Sequence, residues 1–584
     1  MGTERQRQRA GRNQKGIGGG QKMDFKSLVN GIRKGEVVTS AALLPYLCLA
    51  DGKERSDANL KLAEVYADIG NLTQAGVFIR RSWMLSGFSP DILPLYIKIH
   101  AGLPDIDAIR AAYKEIGMAE AAKGNVAQAL SYFNQWQYAY ANHLSIDKYV
   151  YDFDVLACIR KMAEPWRFEG YAQKDPLSDR KIRLAYLVFG ALHVNSVLVK
   201  INCMLARYHQ KDRFEITFFI PDPQRSVDNS KQAKGTIRQL RSYGCNVVIS
   251  PNGSNLVNRL RAVASQIFDY QPDILITSAI LAEFEHYFIA SLQPAPLIVG
   301  LIQGPPQQFA APDMDWGISW SKHPLFDAPC NGSLVHIGLD LPDRESIAPI
   351  SRKDLNIPDE ARIIMSGGRY VKFENLDFWK AVHEILLRFP DLYYVAVGVS
   401  KEQLPFLDKL LNSDLSQRVM LLGWREDILS IFCLADVVID TYPSGGGHVL
   451  IDAMALGIPF VSFENNYMKN FDQTDWSVAD EFVSIPELII RRGDFEQFNN
   501  TISKLLDDVA YRRRMGNLCR EQIHTSMGNP EEGVRRYEDV LVDVLQKKTA
   551  QGATHGKGEF PTLNSTWEKL KRILSGTIRG EGRA

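Results

Sequence analysis

The sequence feature that most limits the possible folds of this chain is a pair of successive sets of short apolar runs. In each set the apolar runs alternate with helical segments. The first set lies between residues 182 and 302, and the second lies between residues 363 and 462. Short strands separated by helices predict βαβ units and parallel sheets. We therefore predict an α/β fold with two doubly wound, Rossmann-like domains that face each other. The predicted strands are Ile182–Phe189, Phe214–Ile220, Val247–Ile249, Ile274–Thr277 and Leu297–Ile302, then Ile363–Ser366, Tyr393–Val397, Val419–Leu422, Val437–Ile439 and Phe460–Ser462.

The loops that follow these strands are the places to look for a binding site, because open α/β sheets bind ligands beyond the carboxyl ends of their strands. In the first domain these loops are GALHVNS and QGPPQQF. In the second they are SGGRYVKFEN, GWRED and the glycine run of DTYPSGGGHV. Since both domains present such loops, we expect one cleft shared between them.

A helical region precedes the two sheets. The motif GN-x-x-QA occurs near residues 70 and 124, with small residues upstream and the aromatic residues Phe78 and Phe133 downstream. Small residues let paired helices pack closely, and the Gly-Asn dipeptide ends the first helix of each pair, which favours tetratricopeptide-like packing. A groove for a peptide or protein and a helical buttress are both compatible with this pattern. The predicted division is a basic, disordered tail at 1–22, a helical repeat domain at 23–165, α/β domains at 180–340 and 345–548, and a tail or helix at 549–584.

The overall composition gives no support for binding to nucleic acid or to an anionic membrane, or for a membrane-spanning helix. The 584 residues carry no formal net charge, so nothing in the overall charge favours nucleic acid or an anionic membrane. No stretch approaches the ~20 apolar residues that a membrane-spanning helix needs. The seven cysteines are scattered singly without a CxxC pair, which predicts reduced thiols and a cytoplasmic protein.

The run Gly445, Gly446 and Gly447 stands between a predicted strand and a predicted helix that begins near His448. Glycine costs conformational entropy in regular elements, so either the turn is tight or a ligand approaches the backbone closely. The unpaired amides of a helix amino terminus form an anion site, which favours a phosphate ligand. Asp452, one turn into the helix, could accept hydrogen bonds from a ribose diol. His448 could bind a diphosphate or cap the helix.

Two further loops carry candidate residues. Lys372 follows the first strand of the second domain, where its ammonium could neutralise a departing diphosphate, and Arg369 is a second candidate. His193 follows the first strand of the first domain. A histidine in a cleft could act as a base or hydrogen-bond a sugar, although a loop histidine is more often structural.

The stretch DTYPSGGGHVLIDAMALGIPFV resembles, without a gap, a glycine-containing segment of the protein O-GlcNAc transferase family. KIRLAYL is similar to that family's first catalytic strand, and QPAPLIVGLIQGPP is similar to another of its segments. The resemblance covers roughly residues 180–545, and the helical front end agrees in kind. It implies tetratricopeptide repeats joined to a glycosyltransferase-B catalytic region that uses UDP-activated sugars. The 180–340 domain would then face the acceptor, and the 345–548 domain would bind the nucleotide sugar.

The resemblance also implies residue roles in the second domain. The family's diphosphate lysine falls on Lys372, its ribose carboxylate on Asp452, and its phosphate-binding turn on Gly446, Gly447 and His448. The segment that holds the nucleobase in the family is shorter here. Hydroxyl residues that the family carries after the histidine are replaced in this chain by apolar ones, so phosphate contacts would rest on backbone amides.

The first domain departs further from the family pattern. The family's cleft histidine falls on His193 only with a one-residue shift. QGPP contributes Gly304 to the implied binding residues, but Gln307 and Gln308 replace the glycine-hydroxyl pair that should follow. This replacement bears on the acceptor chemistry.

The implied reaction is displacement of UDP at the anomeric carbon, with a protein or glycan as acceptor that the helical repeats could hold. No cofactor or metal is expected, because no Asp-x-Asp motif stands at a strand end; the DMD at 313–315 follows prolines in a loop. Two alternatives stay open. One is a UDP-sugar epimerase or hydrolase, which needs no acceptor. The other is a non-catalytic scaffold with a vestigial cleft.

Overall fold

The computed structural model describes residues 24–36, 38–144, 148–171, 180–188, 190–193, 196–252, 255–322, 328–465, 477 and 479–554. The predicted tail at 1–22 lies outside these residues, as do Phe189 and most of the stretch at 549–584. The chain divides into two compact units, residues 1–145 and residues 146–584.

The first unit is helical. Its helices are α1 (Phe25–Arg33), α2 (Ser40–Leu47), α3 (Gly52–Asp68), α4 (Leu72–Leu85), α5 (Leu93–Gly102), α6 (Ile106–Ala122), α7 (Val126–Gln137) and α8 (Ala139–Leu144). The Gly-Asn dipeptides of the two GN-x-x-QA motifs fall between α3 and α4 and between α6 and α7, as the sequence predicts, and the rest of each motif begins the second helix of its pair. Gly70 and Gly124 have φ near +80°, which suits glycine, and each follows the first helix of its pair. Close packing of the second pair requires Gly117, because a Cβ there would lie 2.6 Å from the Phe133 ring.

The second unit contains two parallel sheets. The first has the strand order β3-β2-β1-β4-β5-β6-β7 and the second has the order β10-β9-β8-β11-β12-β13. The first-sheet strands are β1 (Ile182–Leu187), β2 (Phe214–Pro223), β3 (Asn246–Ser250), β4 (Ile274–Ser278), β5 (Ile298–Ile302), β6 (Trp316–Ser319) and β7 (Gly332–Leu334). The second-sheet strands are β8 (Arg362–Gly367), β9 (Leu392–Val397), β10 (Val419–Leu421), β11 (Val437–Ile439), β12 (Phe460–Phe463) and β13 (Ile489–Ile490).

Helices cover both sheets, which explains why the strands read as continuous apolar runs. In chain order they are α9 (Phe153–Ala163), α10 (Val197–Tyr208), α11 (Gln224–Asn229), α12 (Lys231–Ser242), α13 (Leu256–Tyr270), α14 (Phe284–Ser291), α15 (Pro306–Phe309), α16 (Leu376–Arg388), α17 (Leu407–Leu410), α18 (Ser413–Gln417), α19 (Ile428–Phe432), α20 (Gly447–Ala455), α21 (Ala479–Phe482), α22 (Phe495–Asp507), α23 (Val509–Met527) and α24 (Pro530–Thr554).

The prediction of two doubly wound α/β domains after a helical region is confirmed. Both sheets have a central pair, β1–β4 and β8–β11, at which the winding direction reverses. Strands β6, β7 and β13 were not predicted, and β2 extends further than the predicted strand. The boundary predicted at residue 548 falls inside α24, and α9 lies in the second unit although the predicted helical domain includes it.

Helix α24 ties the two α/β domains together, because it follows the second sheet in sequence and contacts the first domain. His209 is buried between the Tyr186 hydroxyl at 2.6 Å from Nε2 and the Glu538 carboxylate at 2.8 Å from Nδ1. Among the residues described, no helix is long and apolar enough to span a bilayer. All seven cysteines are free thiols.

Candidate functional site

The reversal point of the second sheet positions the main candidate site. Strand β8 ends at Gly367 and leads into the 3-10 turn Tyr370–Phe373, whereas its neighbour β11 leads through Asp440 and the glycine run into α20. A crevice outside the carboxyl ends of two such strands is the usual ligand site of this fold class. The sequence prediction for the site therefore falls at the topologically expected place.

Lys372 contacts the glycine turn directly. Its ammonium donates a hydrogen bond to the carbonyl oxygen of Gly445. The short turn that carries Lys372 is anchored by Phe373, which is fully buried and whose carbonyl accepts a 2.6 Å hydrogen bond from the Trp379 indole. The structure thus brings Lys372 and the glycine run together, as the displacement of a diphosphate would require.

Asp440 holds the glycine turn through hydrogen bonds to its carboxylate. This residue is not among those predicted from the sequence. The buried carboxylate accepts hydrogen bonds from the amides of Thr441 at 3.0 Å and Gly446 at 2.9 Å, and from the Ser462 hydroxyl at 2.6 Å. Burial raises the pKa of Asp440, although Ser462 and the Lys372 charge oppose this shift. An aspartate that directly follows a fully apolar strand and precedes a glycine run is the signal that could have identified it.

The glycines differ in what they require. A Cβ at Gly445 would overlap the Asp440 carboxylate, so the tight-turn interpretation applies to this residue. A Cβ at Gly446 would meet only ordinary contacts, the nearest being Val449 at 3.6 Å. Gly446 is the N-cap residue of α20 and offers no side chain to the first amides of the helix. Those amides are the groups that could receive an anion.

His448 and Asp452 lie one turn apart on the face of α20 that borders a cavity of about 330 Å³. The cavity is also lined by α10 and α12 of the first domain, so both α/β domains contribute to one cleft. Burial, together with the charge of Lys200, lowers the pKa of His448 to about 4. Burial raises the pKa of Asp452 to about 6, although Lys200 opposes this shift. His448 is therefore a neutral imidazole at pH 7, and its Nε2 is buried without a hydrogen-bond partner among the described residues.

The two residues that replace the family's hydroxyl groups serve packing. Leu450 is fully buried in the core. Val449 lies against the end of β8, where a Cβ on Gly367 would come within 3.2 Å of its Cγ2. Phosphate contacts from this turn can come only from the backbone and from residues outside these two positions.

His193 lies in the first domain beside a carboxylate. Its Nε2 is 3.7 Å from Oδ1 of Asp222, which belongs to the end of β2. Burial raises the pKa of Asp222, and His193 opposes the shift. Burial also raises the pKa of Glu283 to about 7, with further contributions from Glu285 and Asp222. Asp222 and Glu283 are candidate acid–base groups that no sequence pattern marks, because they follow different strands.

Arg369 and Gly304 complete the predicted set. Arg369 is exposed, and its carbonyl accepts the Lys372 amide at 3.0 Å, so it stands at the start of the Lys372 turn. Gly304 follows β5, where a Cβ would lie 2.8 Å from the Phe309 ring. Packing therefore accounts for a glycine at this position. In the DMD segment, Asp313 pairs with Arg160 and Tyr287, so this carboxylate already has protein partners.

Comparison with known proteins finds a family match within the second α/β domain. Residues 348–522 match the family described as "Glycosyl transferases group 1". Part of the second α/β domain is thus similar to group 1 glycosyltransferases. A lipopolysaccharide core biosynthesis glycosyltransferase, LpsE of Rhizobium meliloti, is 25% identical over 170 residues, which cover 29% of this chain and 46% of the relative. A UDP-Gal:alpha-D-GlcNAc-diphosphoundecaprenol alpha-1,3-galactosyltransferase of Escherichia coli is 26% identical over 236 residues, covering 38% and 57% of the two chains.

A solved structure extends the similarity of fold to most of the chain. A mutant O-GlcNAc transferase from Thermobaculum terrenum superimposes with a TM-score of 0.55 at 16% identity, over 90% of this chain and 98% of that one. The match shows a glycosyltransferase-B fold with a helical region in front. By sequence, the chain spans about half the length of the curated relatives it matches.

Proposed function

We propose that this protein transfers a sugar from a UDP-sugar to a protein or glycan acceptor by metal-independent displacement at the anomeric carbon. The observation that carries the proposal is the contact between the Lys372 ammonium and Gly445 at the amino end of α20. A cation and helix amides converging at a strand-end crevice match the charge that develops on a departing diphosphate. The Escherichia coli relative, whose name specifies UDP-Gal, supports UDP as the nucleotide.

In this mechanism the acceptor hydroxyl oxygen forms a bond to the anomeric carbon while the bond from that carbon to the phosphate oxygen breaks. The electron pair of the broken bond leaves with UDP, where Lys372 and the first amides of α20 stabilise it. Asp452 accepts hydrogen bonds from the ribose. The acceptor proton passes to a base of the first domain, with His193 as the candidate. The helical unit, with its tetratricopeptide-like pairs, would hold the acceptor.

Calorimetry and a transfer assay test this proposal on the full chain. We expect calorimetry to show that UDP binds to the wild-type protein. We also expect that one of a panel of UDP-sugars, with lysate proteins or glycans as acceptors, gives a glycosylated product, and that this transfer continues in the presence of EDTA. Lys372→Ala should lower the transfer rate by roughly 100- to 1000-fold, the cost of one lost transition-state donor. Lys380→Ala is the matched control, because Lys380 is an exposed lysine of the same domain that pairs with Asp377 on its own helix. Absence of UDP binding, or an unchanged Lys372→Ala variant, would refute the proposal.

A second candidate is a scaffold that binds UDP without turnover. It is favoured by one specific observation, namely that the Gly446 amide, at the N-cap of α20, is already hydrogen-bonded to the Asp440 carboxylate. The same assay separates the two candidates. UDP binding without product from any donor would support the scaffold.

A further inference from the structure

In the part of the chain that the structure describes, the second-domain wall of the 330 Å³ cavity carries no cation of its own. It is formed by Leu429 and by His448, Ile451 and Asp452 of α20. The low pKa of His448 leaves its imidazole neutral, and Asp452 is a carboxylate. Lys372 is not among the residues that line the cavity; its ammonium donates to the carbonyl of Gly445, and its charge is partly offset by the buried Asp440 carboxylate. A diphosphate carries more than one negative charge, so one partly neutralised ammonium leaves it undercompensated.

Lys200 supplies the missing charge from the first domain. It lies in the first turns of α10 and is the one cation among the described residues that line the cavity. The side chain is exposed, and it makes no hydrogen bond or ion pair to any residue that the structure describes. The other charged group on the first-domain side, Asp340, is already paired with the Tyr208 hydroxyl at 2.7 Å and with Arg207 at 3.3 Å.

Two observations place Lys200 within reach of a ligand at α20. Its charge acts on both His448 and Asp452, since it lowers the pKa of each. The buried Nε2 of His448, unpartnered in the described part of the chain, borders the same cavity and would be satisfied by an entering phosphate or hydroxyl. The cavity thus has a free ammonium on one wall and an unsatisfied polar atom on the opposite wall.

We propose that Lys200 binds the diphosphate of the donor from the first-domain side, opposite Lys372. This inference rests on the proposed function, because it assumes a nucleoside diphosphate at α20. It makes the two α/β domains interdependent in donor binding, since the phosphates then bridge α10 and α20. No sequence motif marks Lys200, which lies beyond the GALHVNS loop on the helix that follows it.

Comparison of UDP with uridine tests the inference. A charge-assisted contact to phosphate is worth about ten- to a hundred-fold in affinity. Lys200→Gln should therefore weaken UDP by that factor and leave uridine, which lacks phosphates, within about two-fold of wild type. Lys200→Arg should recover part of the loss. Lys234→Gln is the matched control, because Lys234 is an exposed lysine of the same domain that does not line the cavity.

The outcomes separate this inference from the proposed function. Unchanged UDP affinity in Lys200→Gln, in a wild-type protein that binds UDP, overturns the role of Lys200 and leaves the proposed function standing. An equal loss of UDP and uridine also overturns it, because Lys200 would then act on Asp452 or on the fold. A wild-type chain that binds neither ligand overturns the proposed function and this inference with it.

Discussion

Two of the three glutamates of helix α24, Glu531 and Glu538, lie seven residues apart in opposite environments. Glu538 is fully buried and accepts hydrogen bonds from the Gln210 amide and from Nδ1 of His209, both at 2.8 Å. Glu531 forms a 2.6 Å ion pair with Arg535, and both side chains are about half exposed. The same substitution at the two positions therefore separates the value of a buried carboxylate from that of an exposed one, in one helix.

The expected cost of each substitution follows from the hydrogen bonds that its carboxylate accepts. Glu538→Ala leaves the buried His209 Nδ1 and the partly buried Gln210 amide without an acceptor, at about 1–2 kcal/mol each, and removes one buried methylene worth about 0.8 kcal/mol. We expect the free energy of unfolding to fall by about 3–5 kcal/mol, which is the sum of these contributions. Glu531→Ala should cost less than about 0.5 kcal/mol. Glu538→Gln should fall between the two, because its amide oxygen can still accept one of the hydrogen bonds.

The measurement is the unfolding of the full chain in urea, monitored by circular dichroism. The midpoint urea concentrations of the variants are compared where the dependence of the unfolding free energy on urea has the same slope. The dependence of the unfolding free energy on pH provides a second measurement. Burial lowers the pKa of His209, and Glu538 opposes this shift, so the folded state resists protonation that the unfolded chain accepts. The stability is therefore complete above the unfolded histidine pKa of about 6.5 and falls as the pH drops below it. A Glu538→Ala cost below about 1 kcal/mol, or one equal to that of Glu531→Ala, would refute the claim that this contact holds the domains together.

Two further predictions concern the candidate site. Because the raised pKa of Asp452 is about 6, its side chain is charged above that pH and neutral below it, so UDP affinity should weaken as the pH falls from about 7.5 to about 5. Asp452→Asn should flatten the part of that pH dependence that differs from the titration of UDP itself, as calorimetry at several pH values would show; an identical profile contradicts the ribose contact. Gly445→Ala should lower stability by roughly 1–3 kcal/mol through overlap with Asp440, whereas Gly446→Ala should cost less than about 1 kcal/mol. Thermal melts of the two variants check this, and equal losses would show that the turn does not distinguish the two glycines.

The sequence was informative wherever the place of a residue in the fold follows from its position along a strand. Lys372 and the glycine run could be assigned to one site because each directly follows a strand of the same predicted sheet, and parallel strands end at one edge. The missed strands are short or marginal: β13 has two residues, and β7 has three residues that are not fully buried. Runs of that length carry no periodicity that distinguishes them from loops.

The remaining residues of the candidate site could not be predicted, because their contacts depend on how separate strands and domains pack against each other. Asp440 acts through Ser462, which lies 22 residues away on the neighbouring strand. Asp222 comes close to His193, and its charge acts on Glu283, only when β2 and β4 stand on either side of β1. Lys200 and α20 line one cavity only because two separate α/β domains pack beside each other. Spacing along the chain contains none of these distances.

Asp440 also determines how the site must respond to its donor. Its carboxylate accepts a hydrogen bond from the Gly446 amide and interacts with the Lys372 charge, so contacts within the domain stabilise the turn. A diphosphate at α20 therefore does not have to order the turn and instead competes for Lys372 with a carbonyl and a carboxylate that are already in place. Such a turn is preorganised, but part of the positive charge of Lys372 is already compensated by groups of the protein. Its affinity for an anion then depends on cations brought from elsewhere, and the first domain offers one at Lys200.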